Sequence, residues 1–214
     1  MLTNQDILKQ LNWRYAVKRF DATKKVSDAD WEVLEQSLLL TPSSYGLQPW
    51  KFFVVQKPEI RKKLREASWR QSQVEDCSHF VVFTTRTEML ESDVQKHIDR
   101  IAQVRGVTLD SLAAFKKGMM GDVVNGPRKE VIKAWAHQQA YIAMGFLMAT
   151  AALMNIDSCP LEGIEPRKYD QILNIENSGY ITAVAVALGY RHSEDKTQSN
   201  KKVRFDKKEV IQIV

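Results

Sequence analysis

Apolar residues along this chain follow two rhythms. Helical spacing comes first: Ile7, Leu8 and Leu11 share one side of a segment from Thr3 to Asn12, which Thr3 is placed to cap, with Asp6 three residues on. The signature repeats from Ser27 to Leu40, where Asp30 follows the Ser27 cap and Trp31, Leu34, Leu38 and Leu39 recur at helical intervals. Pro58 and Glu59 open a helix to about Ser68, whose Arg61, Lys62, Lys63 and Arg65 read as a solvated face. Asp93–Arg105 and Leu109–Val124 fit two more helices. Gly106, Gly118, Gly121 and Gly126 interrupt that region and make it the most mobile expected stretch. A short helix fits Glu165–Asn174. Strand-like runs cover Trp50–Val55, His79–Thr85 and Tyr180–Leu188, the last apolar enough to be buried on both faces. Val210–Val214 alternates and reads as a terminal strand, added to the sheet edge of a partner copy.

The longest predicted helix opens at Pro127 and runs to about Asn155. Of the fourteen positions from Ala140 to Leu153 only Thr150 is not apolar. A membrane span needs about 20, so a helix buried all round is the better reading. Ala140, Ala143, Gly145, Ala149, Ala151 and Ala152 would let another backbone come close, which points to an interface between two copies. Ser158–Gly163 reads as a turn between helices. These elements predict an α+β sandwich: one domain over residues 1–214, with a mixed sheet of four or five strands between helices and a long hydrophobic central helix.

Composition narrows the picture only slightly. Of 214 residues, 44% are hydrophobic, ordinary for a globular protein. The net charge of +5 comes from 31 basic and 26 acidic residues, with no recognition helix that concentrates it, so nucleic acid is not an expected partner. Cys77 and Cys159 are too few for a disulfide framework, and four scattered histidines give no metal-ligand spacing. No signal segment or membrane span is read, and the expected setting is cytoplasmic with reduced thiols and no metal. Cys159 before Pro160 could be a nucleophile, but the sequence offers it no evident histidine partner.

Candidate chemistry gathers in separate stretches. Thr41–Val55 passes from Pro42, Ser43, Ser44, Tyr45, Gly46 and Gln48 straight into a buried strand: a rigid platform for a polar ligand, or only a connecting loop. Arg14 and Lys18, four apart, could converge on a phosphate, or they could belong to a solvated basic stretch. Lys202 and Arg204, two apart in an extended segment, would face the same side, as a second clamp or as a solvated tail.

The pattern Pro42-Ser43-Ser44, then Gln48-Pro49-Trp50 and an apolar strand, resembles the FMN-dependent nitroreductases. Arg14–Phe20, Arg70–Phe83, Pro160–Gly163 and Lys202–Arg204 agree in order, so the resemblance spans nearly the whole chain. It implies an intertwined homodimer with FMN at the interface. Arg14, Lys202 and Arg204 would hold the phosphate, with Tyr15 and Ala16 beside them, and Lys18 would reach the ring near N1 and O2. Pro42, Ser43, Ser44, Gly46 and Gln48 would come from the other subunit, Arg70 and Gln73 would bond the flavin, and the Pro160, Leu161, Glu162 and Gly163 backbone would face it, with the Glu162 amide toward N5. It also implies a variable lid lined by Phe115, Met119 and Met120. Ala16, Gly46, Arg70 and Gln73 depart from the family's common serine, two asparagines and lysine at those places. The implied activity is ping-pong transfer of two electrons from NADH or NADPH to a small-molecule acceptor, a nitroaromatic or a quinone, with no catalytic side-chain acid or base. There is no GxGxxG turn that would hold the nicotinamide separately. A flavin-sequestering protein, or another flavin reaction on the same scaffold such as enone reduction or dehalogenation, is the alternative.

Overall fold

The computed structural model describes residues 2–214. Helix α1 (Asn4–Trp13) starts where the cap was expected: the Thr3 hydroxyl accepts the Asp6 N–H, and the Asp6 carboxylate accepts the Thr3 N–H. Helix α2 (Asp28–Leu39) is capped by Ser27. Strand β1 (Trp50–Val55), helices α3 (Pro58–Glu66) and α4 (Gln73–Asp76), and strand β2 (His79–Arg86) follow. Helices α5 (Glu91–Arg105), α6 (Ala113–Met119) and α7 (Ile132–Leu153) lead to strand β3 (Asp157–Leu161), helix α8 (Pro166–Ile172), strand β4 (Tyr180–Gly189) and the single turn α9 (Lys207–Val210).

The four strands lie in the order β1-β2-β4-β3, every ladder antiparallel. The sheet expected to be mixed is therefore antiparallel in all its ladders, and its parallel contact is a lone bridge from Ala16 to Ser158 of β3. Side chains alternate across the central strands. Phe80, Val82, Ala185 and Ala187 pack on one face with Leu64, Val74 and Tyr169. Val81, Phe83, Val184, Val186 and Leu188 pack on the other with Leu34, Leu38, Ala140, Ala143 and Leu147. The apolar run of β4 is therefore covered on both faces, and the α+β sandwich is what the chain forms.

Four further sequence expectations change. Ser158–Gly163 is not a turn between helices: Cys159 and Pro160 pair with Ala187 and Val186 as edge strand β3. Pro160 obscures that strand in the sequence, yet an edge position tolerates a residue with no N–H to give. The helix expected over Leu109–Val124 breaks into a 3-10 turn, α6 and a π turn at Met120–Val124, around Gly118 and Gly121. Helix α7 is buried on one stripe only: Trp135, Gln139, Ala143 and Leu147 face inward, while Ile142, Gly145 and Phe146 are open. The tail pairs with no strand of its own chain, and Val210, Ile211, Ile213 and Val214 are exposed. Among the described residues, no helix is long and apolar enough to cross a membrane.

Candidate functional site

Four of the five stretches meet at the β3 edge. The Ala16–Ser158 bridge lays Arg14–Arg19 along β3. The carboxy-terminal segment folds back onto α1, and the Lys202 ammonium donates to the Leu11 carbonyl at 2.6 Å and to the Arg14 carbonyl. These are helix-end oxygens, whose partial negative charge suits a cation. Arg14, Lys202 and Arg204 line one cleft of about 390 Å³ with Tyr15, Ala16 and Thr197. Lys202 thus spends its ammonium knitting the cleft together, while Arg204 donates to its own neighbour, the Val203 carbonyl, at 2.6 Å.

The electrostatics of this cleft are unbalanced. Burial first, then Arg204, holds Arg14 below its ordinary pKa. Burial first, then Arg14 and Arg204, does the same to Lys202. Among the described residues none of the three makes an ion pair, and the Arg14 Nε is buried with no acceptor. Three cations beside one orphaned donor lack an anion, and a phosphate supplies both charge and acceptors.

Lys18 and Gln73 come to the same edge: burial pushes the Cys159 thiol up, against the opposing pull of Lys18 and a Gln73 hydrogen bond. A buried thiol held protonated is a packing group, not a nucleophile. Gly163 sits under the Trp69 ring, where a Cβ would lie 2.8 Å from Cε3, and its carbonyl accepts from Gln71 Nε2 at 3.0 Å. Arg70 follows, left-handed at φ 58°; its side chain is 81% exposed and paired with Glu66 at 3.3 Å. The Glu162 carboxylate accepts the Tyr141 hydroxyl, and burial together with that carboxylate pushes the tyrosine up to about 12.

The fifth stretch is elsewhere. Pro42–Gln48 leads into β1, the opposite edge of the sheet. Three strand spacings, about 14 Å, separate β1 from β3. Here the backbone is strained: Tyr45, Gly46 and Gln48 have φ of 58°, 73° and 46°. The Ser44 N–H donates to Gln139 Oε1 of α7 at 2.9 Å, His97 Nε2 of α5 lies 3.0 Å from the Tyr45 carbonyl, and the Tyr45 hydroxyl donates to Asp122 at 2.8 Å. The Ser43 hydroxyl accepts the Gln48 N–H, and the Gln48 amide reaches back to Leu39. Of the expected lid residues, Phe115 lies near Tyr45, with ring centroids 6.2 Å apart, but Met119 is buried in the core with Val94 and Ile98.

Sequence reading missed the supports of the β3 edge. Arg191 forks onto the buried Asp157 and lies against the rings of Trp13 and Tyr15, at 4.2 and 4.6 Å. Asp195 is buried beneath the Arg14–Arg19 turn. The sole signal for Asp195 is its spacing to Thr197, which its side chain caps.

Comparison with known proteins agrees with this architecture. Residues 11–190 match the model of the Nitroreductase family. A candidate NAD(P)H nitroreductase of Staphylococcus saprophyticus is 38% identical over 217 residues, covering 97% of this chain and 96% of its own. A nitroreductase-type structure from Exiguobacterium sibiricum, solved with FMN, superposes with a TM-score of 0.81 at 19% identity, covering 100% of this chain and 98% of the other. A gut-bacterial enone reductase of fatty acid saturation, CLA-ER, superposes at 0.78 and 21% identity over the full length of both chains. This chain shares the fold of those solved structures and belongs to the Nitroreductase family.

Proposed function

We propose that this chain is an FMN-dependent NAD(P)H oxidoreductase that works as a homodimer and reduces nitroaromatics or quinones by ping-pong two-electron transfer. The observation that carries the reading is the cleft where Arg14, Lys202 and Arg204 crowd together around an unsatisfied Arg14 Nε. Bound FMN supplies the redox chemistry, accepting hydride from the nicotinamide and passing two electrons on. The chain supplies charge, shape and exclusion of water. Arg14 and Arg204 neutralise the phosphate, while Lys202 locks the carboxy-terminal segment to the end of α1. Lys18 would set positive charge beside β3, suited to stabilising the anionic character of a reduced flavin held there. The Pro160–Gly163 backbone forms one wall, fixed by Tyr141 on Glu162 and Gln71 on Gly163. Arg70 and Gln73 flank that wall.

Ser43, Ser44, Gly46 and Gln48 complete the site from a second copy, because they occupy the far edge of their own sheet. The open face of α7, with Ile142, Gly145 and Phe146, and the apolar tail are the surfaces that bring the copies together. No side chain is assigned as acid or base.

The test is anaerobic. The purified chain should be yellow, bleach on adding NADH or NADPH, and recover its colour with menadione or a nitroaromatic. A yellow protein that never bleaches is a flavin binder without turnover, and a colourless one that takes up no FMN overturns the reading. The relation to an enone reductase makes an enone the informative further acceptor.

A further inference from the structure

We propose that Asp195 is the positioning residue of the phosphate clamp: its carboxylate ties the Arg14–Arg19 turn to the Thr197–Arg204 return, so that both halves of the cation set are in place before a ligand arrives. The inference rests on the FMN reading above. Asp195 is 2% exposed. Its Oδ2 accepts the Lys18 N–H at 2.8 Å, the Arg19 N–H at 3.1 Å and the Tyr15 hydroxyl at 3.2 Å. Its Oδ1 accepts the Thr197 N–H at 2.9 Å and the Thr197 hydroxyl at 2.6 Å. Five donors from segments about 180 residues apart thus meet on two oxygens.

All five donors are neutral. The carboxylate is satisfied without drawing on Arg14, Lys18, Lys202 or Arg204, so it organises the cations and leaves them available. Tyr15 extends the arrangement: its hydroxyl binds Asp195 while its ring lies against Arg191, which Asp157 fixes from the other side. Arg14 stands between Trp13 and Tyr15, the two residues whose rings hold Arg191. A site preassembled in this way loses less entropy when it binds.

The sign of one substitution separates this role from a purely electrostatic one. A negative charge near a phosphate site opposes anion binding, so if Asp195 acted only through its charge, Asp195→Asn would tighten FMN. As a positioning residue it should loosen FMN, because an amide offers one accepting atom where the carboxylate uses two.

The experiment measures FMN affinity by fluorescence quenching, and amide exchange in the ligand-free chain. Asp195→Asn should raise the FMN dissociation constant about ten-fold, one hydrogen bond's worth. The increase should shrink in an Arg14→Ala background, since Asp195 acts through Arg14. Exchange at the Lys18 and Arg19 amides should quicken while the amides of β2 and β4 keep their protection. Thr197→Val removes one donor and should give the same pattern in milder form, and it replaces the asparagine variant if that fails to fold. Equal or tighter FMN binding by the variant overturns the inference. So does unchanged exchange at Lys18 and Arg19, even in a chain that takes up no FMN. Failure of the wild-type chain to bind FMN sinks the cofactor reading alone.

Discussion

The two edges of the sheet are built from opposite materials. At β3, side-chain charge dominates: Arg14, Lys202 and Arg204 crowd one cleft, where burial first and neighbouring cations next hold Arg14 and Lys202 below their ordinary pKa. At β1, the backbone dominates: Tyr45, Gly46 and Gln48 are left-handed, in a loop held by bonds from Ser44 to Gln139, Tyr45 to Asp122 and Gln48 to Ser43. One edge offers charge that needs a partner and the other offers a fixed shape. They lie at opposite edges of one sheet, so under the homodimer reading proposed above each chain would carry two half-sites, which a second copy would join.

Separating the copies should have the largest effect. Phe146 is 44% exposed in the single chain, so Phe146→Glu leaves the fold unburdened. Sedimentation should shift from dimer to monomer, with FMN retention lost altogether. A monomer that keeps its flavin would mean that the β3 edge suffices. Next in size is Arg14→Ala, which removes a charge-assisted contact worth roughly 1.5–3 kcal/mol. Equilibrium dialysis should show FMN weakened about ten- to hundred-and-fifty-fold, with the dimer intact. Gly46→Ala attacks the other half: left-handed backbone costs an alanine about 1–2 kcal/mol, and its Cβ would meet the His97 ring at 3.2 Å. Thermal unfolding should show that loss, and a normal melting temperature would deny the strain.

The smallest effect separates the edges by pH. Burial above all holds His97 below its ordinary 6.5, against the opposing bond to the Tyr45 carbonyl. A depressed histidine contributes stability above pH 6.5 that fades as pH falls toward its folded value. At the other edge burial tends to raise Asp195, but bonds from Thr197, Lys18 and Arg19 outweigh it and bring the group to about 2. Its contribution is complete above 3.8 and is lost only as pH falls from there toward 2. As pH falls from 6.5 to 3.8, amide exchange around Gly46 should therefore respond, while that at Lys18 and Arg19 stays flat. Simultaneous loosening of both edges in that range would erase the distinction.

Much of the fold is legible in the residues because burial writes local patterns. Thr3 with Asp6 and Ser27 with Asp30 mark helix starts by short-range hydrogen bonding. The unbroken apolar run of β4 marks a strand covered on both faces. Strand β3 is hidden because Asp157, Ser158 and Pro160 carry no alternation, and only pairing with β4 makes it a strand. Arg14, Lys18, Lys202 and Arg204 are visible as cations, but their supports are not. Asp195 and Asp157 look like any surface acid until the chain returns and buries them under Tyr15 and Arg191.

The sequence alone determined which residues carry positive charge and which segments prefer helix or strand, since these depend on neighbours a few bonds away. Tertiary structure decided that Arg14 and Arg204 share a cleft while Gln48 lies at the far edge. That separation follows from strand order, and strand order is set by pairing between segments as distant as His79 and Leu188, which no local pattern encodes.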